Sequence, residues 1–166
     1  MIAPWLDPAG RPTDAAGWKA LGAYLAKLHK IFADAGLAFG WHTHDFEFVA
    51  LPDGTYPIEH ILDGNSVGLE LDVAWVVCAG GDPAAWLERY ADRLVAVHIK
   101  DVAKDGENAD QDGWADLGHG AIDWKALWPI VQRSTSRVAI LEHDKPVDWR
   151  RFARNSAVAY RNLAGE

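Results

Sequence analysis

Short apolar segments alternate with amphipathic helical patterns along almost the whole chain, and this alternation most constrains the fold. The first helical pattern carries bulky apolar residues at spacings of three and four, which places them on one helix face: Trp18, Leu21, Leu25, Leu28 and Phe32. Because a strand–helix repeat favours a parallel sheet covered by helices, we expect an α/β fold with about five β-α units. The predicted strands are Ile2–Trp5, Leu37–Trp41, Val67–Val73, Leu94–Ile99 and Val138–Leu141.

Local signals mark where the helices begin and end. Thr13 or Asp14 is a suitable cap for the first helix, and Gly36 suits its end because glycine accepts a positive φ. Asp82 and Pro83 open a later helix in the same way. Further helices are predicted around 58–62, 123–132 and 149–163, and a long polar loop over 104–120.

The motifs of nucleotide-binding α/β folds are missing from the sequence. No Gly-x-Gly-x-x-Gly follows the first strand, and no Walker motif is found. The sequence also lacks a glycine-rich loop with a lysine, so no motif in it indicates phosphate recognition. A (β/α) barrel, of the TIM-barrel type, is the predicted architecture.

Composition excludes several functional classes. The 166 residues include 16 Lys and Arg against 24 Asp and Glu, and the net charge of −8 disfavours nucleic-acid binding. Cys78 is the single cysteine, so no internal disulfide or cysteine-based metal cluster is expected, and it is predicted to be a small core residue. Without an apolar run of ~18 residues or a signal-peptide pattern, we expect a cytoplasmic protein with no membrane partner.

Histidines and carboxylates stand at the ends of four successive predicted strands: Trp41–Glu47, Glu70–Asp72, Val97–Asp101 and Ile140–Asp144. One such residue is as often a loop cap, but clustering of this kind indicates a site, because the carboxyl ends of barrel strands converge. Strand alternation puts three pairs on common faces: His42 with His44, Glu70 with Asp72, and His98 with Lys100. Imidazole and carboxylate without thiolate suit a divalent Mn, Co, Zn or Fe ion, which stabilises an enediolate during proton abstraction.

At these residues the chain resembles the sugar phosphate isomerase/epimerase family, the xylose isomerase-like TIM barrels. Six motifs occur in the family's order: Gly40–Phe48, Leu69–Val77, Ala79–Pro83, His98–Asp101, Gly118–Trp124 and Glu142–Asp144. They run through nearly all of the chain and are specific for the family, though not for a substrate. A full barrel takes ~250 residues, and the resemblance begins near the family's fourth strand. It therefore implies a single partial-barrel domain over residues 1–166 that lacks the first three β-α units.

The resemblance also implies a divalent metal held by four side chains from successive strands. Asp72 matches the family's aspartate ligand, His98 its histidine and Glu142 its last glutamate. His42 stands where the epimerase branch has a glutamate that also moves a proton. The predicted metal ligands are therefore His42, Asp72, His98 and Glu142.

This departure at His42 bears on the reaction. An epimerase of that branch uses two carboxylates, of which Glu142 is present, whereas Glu47 lies five residues past His42. Elimination or hydration needs only a metal and one base, for which Glu142 is the candidate, with His44 or Lys100 as the acid.

Other positions have two readings each. Trp5 and Trp75 at strand ends are candidates for stacking on a sugar, or are packing residues. His119, between Gly118 and Gly120, is a candidate substrate contact or part of a plain turn. Asp101 and Asp144 are candidates for orienting His98 and the neighbours of Glu142 through hydrogen bonds. Glu70 is either one of the metal-type residues at the strand ends or an interior salt-bridge partner.

The sequence thus predicts a metal-dependent isomerase or epimerase acting on a small carbohydrate or keto-sugar. A sugar lyase or dehydratase of the same fold is the alternative. A hypothesis of another class is a truncated barrel without turnover, whose open edge needs a partner chain or a second copy. A nuclease like the apurinic endonucleases of this barrel is disfavoured by the net charge and by Trp75, which stands where a further histidine ligand is expected.

Overall fold

The computed structural model describes residues 1–165. The strands in these residues are β1 Ile2–Ala3, β2 Gly40–His42, β3 Gly68–Asp72, β4 Leu94–His98, β5 Asp101–Val102, β6 Trp114–Ala115 and β7 Ala139–Ile140. The helices are α1 Ala15–Asp34, α2 Pro57–Leu62, α3 Val73–Cys78, α4 Pro83–Arg89, α5 Trp124–Arg133 and α6 Trp149–Ala164. Five strands form a parallel sheet in the order β1, β2, β3, β4, β7, which confirms the predicted α/β fold.

The strands are shorter than the sequence predicts, and β2 shows the reason. Leu37 lies outside it because its N–H donates to the carbonyl oxygen of Phe32 at 2.9 Å and so belongs to the end of α1. Gly36 supports that turn with a φ of 73°. At the other end of α1 the Asp14 carboxylate accepts from the Gly17 N–H at 2.8 Å. Both ends of the first helix are therefore confirmed as predicted.

The helix α3 follows β3 without a loop and was not predicted from the sequence. The carboxylate of Asp72 accepts from the N–H groups of Ala74 and Trp75 at 2.9 and 3.2 Å and so begins the helix. Apolar residues on both sides of this aspartate hid the boundary. Cys78 ends α3 and is exposed, so its predicted place in the core is wrong.

The core lies between the sheet and the helices around it. It includes fully buried residues of α2, β3, α4 and β4: Ile58, Ile61, Leu69, Leu71, Leu87 and Val97. α1 crosses α2 so closely that a Cβ added at Gly22 would lie 2.3 Å from the Ile61 carbonyl oxygen. Gly22 therefore sets the distance between these two helices.

The segment predicted as a polar loop contributes β6 to a small hairpin, in which this strand pairs in antiparallel fashion with β5, just before the segment. Asp101 organises it: its buried carboxylate accepts four backbone N–H groups at 2.9–3.2 Å, those of Val102, Gly118, Gly120 and Ile122. A Cβ at Gly120 would lie 2.2 Å from Asp101 Oδ1, so this glycine approaches the carboxylate. The prediction that Asp101 orients His98 is wrong, because both of its oxygens face the loop.

β1 and β7 form the two edges of the sheet. Within residues 1–165 each pairs with a neighbouring strand on one side only. The sheet described is thus an open part of a barrel, as predicted. None of the helices in this part of the chain has the length and apolar character needed to cross a membrane.

Candidate metal centre

Strand register brings the predicted ligands together at the carboxyl ends of the sheet. His42, the last residue of β2, pairs with Glu70 of β3. Asp72, the last residue of β3, pairs with His98 at the end of β4. Glu142 follows β7, whose Ile140 pairs with His98. Five side chains from four neighbouring strands therefore converge on one point.

The first candidate ligand group comprises His42, Glu70 and His98, all of them buried. Glu70 Oε1 lies 3.0 Å from His42 Nδ1 and 3.0 Å from His98 Nε2. The His42 and His98 rings are 4.5 Å apart between centroids. One carboxylate oxygen thus lies between two imidazoles.

The second group shares His98 and adds Asp72 and Glu142. His98 Nδ1 lies 3.1 Å from Glu142 Oε2 and 3.6 Å from Asp72 Oδ2. Because the two groups use opposite nitrogens of one imidazole, His98 is the centre of the whole constellation.

These residues fit a divalent metal ion. In each group the ligand atoms lie within 4.8 Å of one another. Ligands about 2.1 Å from an ion are ~3–3.5 Å from each other in a tetrahedral site, close to the separations found. One of the atoms, Asp72 Oδ2, is buried without a hydrogen-bond partner. An orphaned buried polar atom costs about 1–3 kcal/mol, which coordination to a cation would remove.

Glu70 is the residue of this centre whose role the sequence left open. Its alternation with Asp72 predicted a shared face, but the pattern within one strand does not tell which neighbour lies opposite. The pairing of His42 with Glu70 supplies that information. The structure therefore adds a fifth candidate ligand to the four predicted.

Without a metal, the centre is held by a charged imidazole between carboxylates. Burial lowers the pKa of His98, but its hydrogen bonds to Glu142 and Glu70 outweigh burial and raise the pKa to about 9. Burial raises the pKa of Glu70, but its contacts with His42 and His98 outweigh burial and lower the pKa to about 2. The His98 hydrogen bond lowers the pKa of Glu142 to about 2, whereas burial raises the pKa of Asp72 to about 6.

Lys100 lies behind the ligand groups with its side chain fully buried. Its Nζ donates to Asp144 at 2.6 Å and to Glu142 at 3.2 Å, and lies 3.9 Å from Asp72 Oδ2. Trp114 of β6 covers it, with Nζ 4.0 Å from the ring centroid. In this arrangement Lys100 holds carboxylates in place and does not reach the surface of the pocket.

His44 and Glu47 form a separate pair beside the centre. Glu47 is fully buried and accepts from the His44 backbone N–H and the Trp41 indole N–H, both at 2.8 Å. Burial raises the pKa of Glu47 to about 7. Burial, with the charge of His42, lowers the pKa of His44 to about 4. Glu47 belongs to neither ligand group, as its position in the sequence suggested.

The ligands open into a pocket of about 630 Å³. It is lined by Pro4, Trp5, Pro8, Arg11, His42, His44, Asp45, Glu70, Trp75, His98, Glu142 and Asp144. Both predicted stacking residues, Trp5 and Trp75, are in its wall. His119 is not: it lines a separate depression with Asp116 and Arg151, and its backbone N–H donates to the Asp116 carbonyl oxygen.

The fold and the centre define the family. Residues 4–161 match the model of the xylose isomerase-like TIM barrel. The chain belongs to this family.

Relatives and solved structures agree with this assignment. An inosose dehydratase of Clostridium beijerinckii is 33% identical in an alignment of length 129 that covers 70% of this chain and 43% of that protein. The crystal structure of a sugar phosphate isomerase/epimerase from Parabacteroides distasonis superposes with a TM-score of 0.77 at 24% identity, over 99% of this chain and 57% of that one.

A crystal structure of the IolI protein with a bound zinc atom has a TM-score of 0.71 at 19% identity, over 98% of this chain and 61% of that one. These structural likenesses concern the fold. The chain spans less than half the length of the curated relatives it matches.

Proposed function

We propose that this chain is the metal-bearing part of a lyase that removes water from a small keto-polyol. The observation that carries the proposal is the convergence of three carboxylates and two imidazoles on one point, where the buried Asp72 Oδ2 lacks a hydrogen-bond partner. A relative named inosose dehydratase favours elimination over isomerisation.

The centre would hold the ion through His98, with His42 and Glu70 or with Asp72 and Glu142. Zinc is our first choice, and manganese, cobalt and iron suit the same ligand types. The ion would polarise the ketone oxygen of the substrate and so acidify the neighbouring C–H bond.

Glu142 is our candidate base. Its side chain is 38% exposed and lines the pocket, so it can reach a bound substrate. It takes the proton from the carbon beside the ketone and returns it to the hydroxyl group that leaves the next carbon. One C–H and one C–O bond break, a C=C bond forms, and water departs. One carboxylate thus serves both proton transfers, so no separate acid is needed.

His44 and Lys100 take other roles than the acid predicted from sequence. The pKa of His44, near 4, leaves its ring neutral at pH 7, so it donates a hydrogen bond to a substrate hydroxyl rather than a proton. Lys100, buried behind Glu142 and Asp144, is a positioning residue for both.

An isomerase or epimerase is the second candidate, and one observation favours it. Glu70 and Glu142 contact opposite nitrogens of His98, so two carboxylates are available at different sides of one centre. Such a pair removes and returns a proton on opposite faces of a substrate carbon.

A third candidate is a barrel part that turns over no substrate without another chain. It is supported by the unpaired outer edges of β1 and β7 within residues 1–165. Light scattering after size exclusion tests it: a well-folded monomer that turns over substrate would rule it out.

The reaction is tested by incubating the zinc-loaded chain with 2-keto-myo-inositol in D2O and following the proton NMR spectrum. Dehydration predicts an unsaturated or diketone product with one carbinol centre lost. Epimerisation instead predicts deuterium at a carbon that keeps its hydroxyl.

Two variants frame this experiment. Glu142→Gln should abolish turnover, and His119→Ala, which alters a separate depression, should leave it unchanged. A zinc-loaded chain in its solution assembly that leaves the ketone unchanged and its C–H bonds unexchanged would refute the proposed function.

A further inference from the structure

Arg11 lies in the same pocket as the candidate metal ligands but has no role in holding them. It follows a tight turn after β1 in which the Gly10 N–H donates to the Asp7 carbonyl oxygen at 2.8 Å. Its Nε donates to the Leu6 carbonyl oxygen at 3.1 Å. The side chain is thus fixed at its base by the backbone of that turn.

Two aromatic rings hold the guanidinium of Arg11 in place. Its Cζ lies 3.6 Å from the Phe46 ring centroid and 4.9 Å from that of Trp5. Cation–π contacts of this kind favour a flat, pre-set orientation of the guanidinium. Arg11 is therefore presented to the pocket in a defined geometry, which limits the entropy lost on binding.

The charge of Arg11 has no partner among the residues the structure describes. In residues 1–165 no carboxylate oxygen lies within 4.0 Å of its guanidinium. Its terminal Nη groups donate no hydrogen bond in this part of the chain, although the residue is half-buried. It is also the one arginine or lysine in the pocket lining. Four N–H donors are therefore free in a fork that suits two oxygens of one carboxylate.

We propose that Arg11 binds a carboxylate at the end of the substrate remote from the metal centre, so that the site prefers anionic keto-polyols. This rests on the proposed function, since it assigns the second end of the same substrate. The ketone lies at the ligand groups, and the carboxylate lies on the pocket side of the guanidinium, beside Trp5. Arg11 thus determines specificity and takes no part in proton transfer.

The test compares 5-keto-D-gluconate with L-sorbose, which differ only at one terminal carbon, a carboxylate in the first and a primary alcohol in the second. Calorimetry on the zinc-loaded chain should give ~10-fold or tighter binding of the keto-acid, as expected for a charge-assisted bidentate pair. Arg11→Met keeps the apolar stem and should remove this preference while leaving L-sorbose binding unchanged. Arg11→Lys should restore part of it, since a lysine supplies the charge without the fork.

The outcomes separate this proposal from the proposed function. Equal binding of both ketoses by the unmodified chain, or an undiminished preference in Arg11→Met, overturns the role of Arg11. An intact preference without turnover of any ketose overturns the proposed function and leaves the carboxylate site standing. Unchanged zinc content of both variants shows that the fold is preserved.

Discussion

Asp101→Asn should destabilise the chain strongly although the substitution is nearly isosteric. The Asp101 carboxylate is buried, with Oδ1 accepting from Val102 and Ile122 and Oδ2 from Gly118 and Gly120. Asparagine keeps one acceptor oxygen and turns an NH2 group toward the other pair of donors. Two partly buried N–H groups lose their acceptor. An unsatisfied donor costs about 1–3 kcal/mol, so the expected loss is about 3 kcal/mol. A domain has only ~5–15 kcal/mol of stability in total, which makes this a large fraction.

Urea unfolding followed by circular dichroism measures the effect. With a slope of about 2 kcal/mol per molar urea, the midpoint should fall by about 1.5 M. Asp123→Asn is the matched control, since Asp123 is an exposed cap of α5 with one hydrogen bond, to the Ala126 N–H, and asparagine is an equally good cap. Its midpoint should stay within about 0.3 M of the unmodified chain.

Equal midpoints for the two variants would refute this account of Asp101. Zinc binding provides a second discrimination. If Asp101 oriented His98, Asp101→Asn would weaken zinc binding by ~10–100-fold without the loss of stability. We expect the reverse, a less stable chain whose folded form binds zinc normally.

Four further predictions concern the centre and the fold. Zinc binding at pH 7.5 should release about one proton per ion, because the pKa of His98 is near 9 and its imidazole must lose a proton first. Calorimetry in two buffers of different ionisation enthalpy measures the number of protons released. Zero release would contradict this prediction. In the metal-free chain the raised pKa of His98 adds stability that is complete below pH ~6.5 and is lost as the pH rises through about 9. The melting temperature should therefore fall between these pH values, and it should fall less in His98→Asn. Gly22→Ala should lower the urea midpoint although alanine favours a helix by ~1 kcal/mol, because its Cβ meets the Ile61 carbonyl oxygen; a more stable variant would disprove the close crossing. The exposed Cys78 should react with a thiol reagent in the native state, and labelling only after unfolding would place it in the core after all.

Much of the fold follows from the sequence because periodicity reports local structure directly. The spacing from Trp18 to Phe32 gave the first helix, and Asp14, Gly36 and Asp82 marked helix ends. Periodicity did not reveal α3, because the apolar run continues through Asp72 and hides the change from strand to helix.

The candidate site was predictable where it depends on strand ends and not where it depends on register or distant segments. Position at strand ends indicated a set of histidines and carboxylates, and the resemblance to the family singled out His42, Asp72, His98 and Glu142 among them. Whether Glu70 is a candidate ligand depends on which residue of β2 lies beside it, and that residue is His42.

The positions of Lys100 and His119 depend on contacts with other segments of the chain. Lys100 is withdrawn from the pocket because Trp114, on a hairpin strand formed later in the chain, covers it. His119 is drawn to Asp116 by the turn that Asp101 organises.

The content of zinc per chain, measured after metal loading and desalting, tests the metal centre most directly. We predict one tightly bound ion in the unmodified chain, its loss in Asp72→Ala and in His98→Ala, and its retention in His119→Ala. Equal zinc content in all four proteins, whether one ion or none, would contradict the assignment of this centre.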